Sequence, residues 1–349
     1  MPSIKTIKEA IRSEGLAGWL FYNYKHRDPL SDRVLGVPAD AVNTRPWYYL
    51  VPAEGDPVKI VHAIEGSILS HLPGRERGYG SREELRRLLS GAAGAVDGAV
   101  CAGYSELLPS LSFLDHGTAL LFTECGFGLT GSAECLQRVL GALPPTGRES
   151  HRRAGKHLYE IVSMAWKRIA KDLAEGTGVT EGSIRDYMLA ELEKRNLTTD
   201  HPPIVAAGPN SGDPHYTATG DGDPILPEKI VLFDIWAKEN GPESVYADIS
   251  WMEYTAPAVP LRITDRFQTL THARDLAFSY IDERCTASNR SSGETAFPTG
   301  AEVDRKVREY LIEQGLESFL RHRTGHAIDT ECHGFGANID SVEFPEERR

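Results

Sequence analysis

The chain has 349 residues, of which 40% are hydrophobic and 25% are charged, and its formal net charge is −12. This length predicts two domains, and the ordinary composition excludes wholesale disorder. The acidic charge argues against a nucleic-acid-binding protein that depends on a general positive field, so we expect no nucleic-acid partner.

Five cysteines are scattered along the chain without a CxxC pair, which is typical of a reducing compartment rather than of a disulfide framework. The first residues fit an amphipathic helix better than a signal peptide, and no apolar run is long enough to span a bilayer. We therefore expect a cytoplasmic protein with no membrane partner.

The N-terminal part of the chain alternates predicted strands and helices. A first helix ends at Gly15, and residues 83–89 predict a second one. Apolar runs predict five strands, at residues 18–22, 47–51, 57–61, 98–102 and 119–122. This alternation predicts a small α/β domain over residues 1–150, and a linker is expected at residues 143–147.

The second part of the chain has longer periodic segments. Helical spacing predicts helices at residues 158–173, 184–195, 266–284 and 302–314. Each pair of helices is followed by an apolar or histidine-bearing segment that fits a strand. The order helix, helix, strand therefore occurs twice, which indicates an internal duplication at the level of structure.

Residues 230–251 predict two strands joined by a polar turn at residues 239–243. Asp234 and Asp248 interrupt these apolar strands, and a hairpin would bring the two side by side. Carboxylates inside apolar strands are costly to bury unless a positive charge compensates them. Either the pair shares a metal cation, or one or both aspartates cap a turn or lie on a solvated sheet face.

Three histidines, His322, His326 and His333, lie close together near the end of the sequence. Histidine is a common ligand of divalent metals and the usual proton carrier near pH 7. A single one is more often a hydrogen-bonded core or surface residue. Together with His215 in a PHY motif and the two in-strand aspartates, however, the group indicates a metal-dependent site.

Three segments carry a resemblance to a known family: IVAAGPNSGDPHY (204–216), LFDIWAK…VYADISW (232–251) and HRTGHAIDTECHG (322–334). With them, the chain resembles the pita-bread metallopeptidases, in particular the Xaa-Pro aminopeptidase and proline dipeptidase branch. Residues 1–150 are similar to the creatinase-type N-terminal domain of that branch. The implied fold is an α+β pita-bread domain over residues 151–349, without its last strands, after a smaller α/β domain.

The resemblance also implies a metal centre. Asp234 would be a ligand of one metal ion, Asp248 would bridge two, and His326 would be the histidine ligand. The two divalent ions would be manganese, cobalt or zinc. A hydroxide that bridges them would be the nucleophile, because the metal charge lowers the pKa of bound water.

The resemblance places His215, His322 and His333 around the substrate. The implied substrate is a peptide with proline at its second position, and the implied reaction is hydrolysis of the Xaa-Pro bond. Such a bond has no amide N–H, so general peptidases that need this donor handle it badly. The resemblance leaves aminopeptidase and dipeptidase both open, and it implies a homodimer.

The chain departs from the family pattern at residues 327–329, where a GIG-type turn is usual, and at Gly334, where an acidic residue is common. The family's last two metal ligands are glutamates, whereas Glu343, Glu346 and Glu347 lie in a polar run that predicts a loop. Two divalent ions carry a charge of about +4, and the two aspartates supply only about −2, so the buried positive charge would not be balanced. We therefore expect incomplete metal occupancy, an inactive chain and a C-terminally shortened piece of a longer enzyme.

Two alternatives to the peptidase stay open. One is a non-catalytic relative that uses the pita-bread cleft for binding. The other is a creatinase-like C–N hydrolase that needs no metal. Retention of both aspartates and of the TGH histidine disfavours the first, and retention of both aspartates disfavours the second.

Overall fold

The computed structural model describes residues 2–290 and 297–349. These residues divide into two compact units. The first comprises Met1–Ala142, Thr299–Glu302 and Phe335–Arg349, and the second comprises Leu143–Pro298 and Val303–Gly334. Within the described ranges, no helix is both long enough and apolar enough to cross a bilayer.

The first unit is built on a six-stranded mixed sheet. Its strands are β1 (Gly18–Asn23), β2 (Trp47–Pro52), β3 (Val58–His62), β4 (Arg75–Tyr79), β5 (Val100–Ala102) and β6 (Leu129–Gly131). Its helices are α1 (Ile4–Ser13), α2 (Pro29–Leu35), α3 (Arg82–Ala93), α4 (His116–Glu124) and α5 (Ala133–Leu140). The strand order is β4-β3-β2-β1-β5-β6, in which β1 pairs antiparallel with β2 and parallel with β5.

Both faces of this sheet are covered by helices. Successive side chains of a strand point to opposite faces. Trp19 and Phe21 of β1 stack at 4.4 Å between ring centroids and pack with residues of α1, α2 and α5. Leu20 and Tyr22 pack on the other face with residues of α3 and α4. This explains why β1 is a continuous apolar run, and it confirms the predicted α/β character of the unit.

One predicted strand of this unit is wrong. Residues 119–122 lie in the middle of α4, where Leu121 and Phe122 are buried. Asp115 begins that helix, because its carboxylate accepts a hydrogen bond from the Thr118 N–H at 2.9 Å. A short apolar run fits a buried helix as well as a strand, and the cap decides between them here.

The second unit combines two long helices, two shorter helices and an antiparallel sheet. Its helices are α6 (Pro145–Glu175), α7 (Glu181–Lys194), α8 (Leu261–Arg290) and α9 (Gly300–Glu313), the last of which begins in the first unit. Its strands are β7 (Leu197–Thr198), β8 (Ile204–Ala207), β9 (Ile230–Glu239) and β10 (Ala247–Tyr254). Strand β9 is central and pairs antiparallel with each of the other three.

The predicted linker at residues 143–147 is wrong in part, because α6 already begins at Pro145. Proline is well placed in a first helical turn, since its missing N–H would have no intrahelical partner there. Gly147 allows the close packing of this turn, because a Cβ atom at that position would lie 2.9 Å from a side-chain carbon of Val245.

Strand β9 has one fully buried face and one half-buried face. Val231, Phe233, Ile235 and Ala237 are buried and pack with residues of α6 and α7. Trp166 of α6 stacks on Phe233 with 4.3 Å between ring centroids. Alternation along the strand therefore places the residues between them on the face that points away from these helices.

The four helices of the predicted duplication are present, whereas the strand predicted at residues 322–328 is wrong. The Thr180 hydroxyl accepts from the Ser183 N–H before α7, and the Thr299 hydroxyl accepts from the Glu302 N–H before α9, both at 3.2 Å. Residues 321–328, however, contain no strand. Helix α9 thus begins with a threonine cap as α7 does, whereas the histidine-bearing segment after α9 is irregular.

The C-terminal residues 340–349 form neither helix nor strand, as predicted. They are nevertheless not a solvated loop, because Glu346 and Arg348 are buried within the first unit. Arg348 Nη2 donates to Glu346 Oε2 at 2.6 Å, and its guanidinium also donates to the carbonyls of Phe335 and Gly336. The ion pair offsets the cost of burying both charges. The sequence pattern does not reveal this pairing.

Candidate metal and substrate site

Two carboxylates lie on the half-buried face of the β9–β10 hairpin. Asp234 pairs in register with Ser250, and Asp248 pairs with Trp236. Residues directly opposite in an antiparallel pair share a face, and so do residues two apart along a strand. The two aspartates are therefore diagonal neighbours on one face, rather than directly opposite each other.

The surroundings of Asp234 disfavour its charge. Burial raises the pKa of this carboxyl group, and the nearby Asp248 carboxylate raises it further. A hydrogen bond from the Ser250 hydroxyl to Oδ1, at 2.8 Å, and the His326 ring act in the opposite direction. This side of the hairpin thus presents negative charge that a cation would stabilise.

His326 faces Asp248, with Nε2 3.4 Å from Oδ2 of the carboxylate. Its other ring nitrogen, Nδ1, lies 3.0 Å from the carbonyl oxygen of Ala327. A carbonyl oxygen only accepts, so Nδ1 carries a hydrogen, and Nε2 is the ring nitrogen that faces the carboxylate. The Asp248 carboxylate raises the pKa of the His326 ring.

The segment that carries His326 is held on the hairpin by hydrogen bonds to its main-chain carbonyls. The Tyr246 N–H donates to the Asp329 carbonyl at 2.9 Å, and Lys238 Nζ donates to the Thr330 carbonyl at 2.6 Å. Gly334 closes the segment, because its N–H donates to the Ala327 carbonyl at 2.7 Å.

The close turn at Gly334 explains one departure from the family pattern. A Cβ atom there would lie 2.8 Å from the carbonyl carbon of Ile328, so the acidic residue common in the family does not fit this turn.

The structure brings some of the predicted histidines together and leaves others apart. The His333 ring lies 4.4 Å from the His326 ring, centroid to centroid. Burial lowers the pKa of His333, and the neighbouring His326 and Arg323 charges lower it further, which favours its neutral form. His215 and His322 are exposed, and their hydrogen bonds are local, to Asp213 and Arg323.

Two further side chains contact the aspartates and were missed in the sequence. The Cys332 thiol lies 3.7 Å from Asp248 Oδ2, and Ser250 donates to Asp234. The signal for Ser250 is its position on β10, since the hairpin register places it opposite Asp234. The sequence gives no comparable signal for Cys332.

The donors available for a metal ion are Asp234, Asp248 and His326. Among the residues that the structure describes, no three His, Cys, Asp or Glu side chains already form a closed metal-binding cluster. These three side chains therefore suit a metal ion by the chemistry of their donor atoms and by their position near one another. Two carboxylates and one imidazole suit manganese, cobalt or zinc, and their charge of −2 balances one divalent ion.

Residues 149–348 match the sequence model of metallopeptidase family M24. A probable dipeptidase PepE of Mycobacterium bovis is 24% identical over 294 residues, which cover 81% of this chain and 69% of that protein. An Xaa-Pro dipeptidase of Lactobacillus helveticus is 28% identical over 173 residues, which cover 48% of this chain and 41% of that protein.

Among solved structures, dipeptidase PepE from Mycobacterium ulcerans superposes with a TM-score of 0.63 at 19% identity. The match covers 96% of this chain and 82% of that one. At this identity the likeness concerns the fold, which agrees with a mixed α/β unit followed by a pita-bread domain.

Proposed function

Because this chain belongs to metallopeptidase family M24, we propose that it is a peptidase of the Xaa-Pro branch that acts on dipeptides with proline at the second position. The observation that supports the proposal is that Asp234 and Asp248 share one face of the β9–β10 hairpin, and that Nε2 of His326, on a separate segment, lies 3.4 Å from Oδ2 of Asp248. The names of similar proteins, dipeptidase and Xaa-Pro dipeptidase, support the substrate class.

Asp234, Asp248 and His326 would hold a divalent metal ion. The hydrogen bond from Nδ1 of His326 to the Ala327 carbonyl leaves Nε2 as the ligating atom, which is the usual arrangement for a metal-binding histidine. A bound divalent ion would act as a Lewis acid and lower the pKa of a water molecule toward neutrality. A second ion would exceed the charge of these two carboxylates, so the described donors fit one ion better than two.

The side chains of this chain then have separable tasks. Asp248 orients His326 through the 3.4 Å contact, and Ser250 orients Asp234 through its hydroxyl hydrogen bond. His333 stays neutral because its pKa is lowered, so its protonated nitrogen can donate to a substrate carbonyl oxygen. We place His215 and His322 at the outer part of the substrate site, in keeping with their exposure.

The first test is a calorimetric titration of the protein with Mn²⁺. We expect one ion per chain. We expect Asp248→Ala to weaken binding by at least about 100-fold, because loss of a group that only supports a ligand already costs about 10- to 100-fold. Asp275→Asn, an exposed aspartate on α8, is the matched control and should bind Mn²⁺ as the wild type does. Wild-type affinity in Asp248→Ala would show that the metal assignment is wrong.

The second test measures turnover of an Xaa-Pro dipeptide and an Xaa-Pro tripeptide with Mn²⁺ present. Cleavage of the dipeptide alone supports a dipeptidase, and cleavage of the tripeptide supports an aminopeptidase. Peptide binding without cleavage favours a non-catalytic relative. Full activity after exhaustive chelation favours a metal-free C–N hydrolase. Absence of turnover with either peptide would agree with the expectation of an inactive chain and would contradict the proposed activity. The homodimer and the cytoplasmic location stay predictions.

A further inference from the structure

A buried carboxylate outside the candidate site is tied to the segment that carries His326. Asp304 lies near the start of α9 and is fully buried. Its Oδ1 accepts two hydrogen bonds from one residue, from the Thr324 N–H at 3.0 Å and from the Thr324 hydroxyl at 2.5 Å. Thr324 precedes His326 by two positions, so this contact lies directly beside the candidate metal ligand.

Arg308 extends the contact along the same segment. Its Nε donates to Asp304 Oδ2 at 2.7 Å, and its Nη2 donates to the His322 carbonyl oxygen at 2.7 Å. The two side chains are four residues apart on α9, a spacing at which helical side chains meet. Asp304 and Arg308 together therefore hold the main chain at both ends of residues 322–324.

The main chain needs this support because residues 321–328 form neither helix nor strand. A strand ladder would fix the direction of each side chain through regular hydrogen bonds, whereas an irregular segment depends on individual contacts. Burying Asp304 is costly unless its hydrogen bonds are satisfied, and the Arg308 guanidinium compensates its charge. The arrangement thus couples the rigid α9 to the segment before His326.

We propose that Asp304 is a positioning residue for His326, holding the main chain at Thr324 so that Nε2 faces Asp248. The inference rests on the proposed metal-binding function. A metal ion would be bound by Nε2 of His326, so the direction of this ring would matter for metal affinity. The hydrogen bonds of Asp304 to Thr324 and Arg308 reach the segment before His326. Asp304 acts through the main chain, in the way that outer groups orient a metal-binding histidine.

The test compares Mn²⁺ affinity with folding stability in matched variants. In Asp304→Asn the carboxylate charge is lost, and Arg308 loses its partner. We expect the Kd for Mn²⁺, measured by calorimetry, to rise about 10- to 100-fold, the range for groups that support a ligand. Glu181→Gln is the control, because Glu181 is equally buried in the same unit and accepts hydrogen bonds from Ala207, Asn210, Tyr216 and Asp223 instead.

A general loss of stability would affect both variants alike, whereas a positioning role affects Mn²⁺ binding in Asp304→Asn alone. An unchanged Kd in Asp304→Asn, or an equal rise in Glu181→Gln, overturns the proposal. If Asp304→Asn fails to fold, Thr324→Val replaces it, since it removes one of the two hydrogen bonds to Oδ1 and should raise the Kd less. His326→Ala separates the two ideas, because wild-type affinity in that variant refutes the metal site itself.

Discussion

Replacing Asp234 by asparagine should stabilise the metal-free protein near neutral pH. Burial and the Asp248 carboxylate both raise the pKa of Asp234, so its ionisation costs the folded state free energy. Since the pKa is higher in the folded than in the unfolded state, the protonated group favours folding at low pH. That contribution is lost as the pH rises through the folded pKa. Asparagine carries no charge, and its carbonyl oxygen can still accept from Ser250.

The expected gain follows from the hairpin register. Asp234 and Asp248 are diagonal neighbours, and such side chains in an antiparallel pair are about 7–8 Å apart. At an effective dielectric constant of about 20, two like charges at that distance repel by about 2 kcal/mol. Partial exposure to solvent reduces this repulsion, so we expect a gain of about 1–2 kcal/mol near pH 7.5 that shrinks as the pH falls toward 4.

The assay is urea unfolding in the presence of a chelator, followed by tryptophan fluorescence at about pH 7.5 and about pH 4.5. Asp275→Asn, whose side chain is exposed, should change the free energy of unfolding little at either pH. Added Mn²⁺ should stabilise the wild type and not Asp234→Asn, because the variant lacks a ligand. If Asp234→Asn is less stable than the wild type at both pH values, the account of repelling carboxylates is wrong.

Two further predictions concern the core and a close contact. Phe233→Ala should lower the free energy of unfolding by about 3–5 kcal/mol, because the ring is fully buried and stacks on Trp166; Phe278→Ala, at a side chain 75% exposed, is the control, and similar losses in the two variants would contradict it. Gly300→Ala should lower the melting temperature or abolish folding, because the added Cβ would lie 1.7 Å from the Asn338 carbonyl oxygen. An unchanged melting temperature would show that the main chain moves aside without strain.

The sequence predicts those elements whose local pattern and tertiary packing agree. Strand β1 reads as an apolar run because helices cover both faces of its sheet, and β9 is recognisable because its buried residues alternate. The helices α7 and α9 are predicted from the helical spacing of their apolar residues, and each proves to have a threonine cap at its start. Local chemistry is sufficient in these cases.

The prediction fails where a distant contact decides the conformation. Residues 322–328 were expected to form a strand, and instead hydrogen bonds to α9 hold the segment in an irregular path. The hairpin holds Thr330, just after it. Glu346 lies in a polar run, and it is buried because Arg348 folds onto it and reaches the carbonyls of residues 335 and 336. Neither outcome leaves a periodic signal in the sequence.

The candidate site shows the same division between local and distant causes. The aspartates could be predicted, since a carboxylate inside an apolar strand is itself a local anomaly, but their diagonal offset depends on the register of β9 with β10. The direction of His326 depends on Ala327 and, in our proposal, on Asp304, which lies on another element. Which residues are candidate ligands can thus be recognised from the local sequence, whereas their relative positions depend on tertiary packing. Variants of Asp304 should therefore change metal affinity although no sequence motif of the site includes this residue.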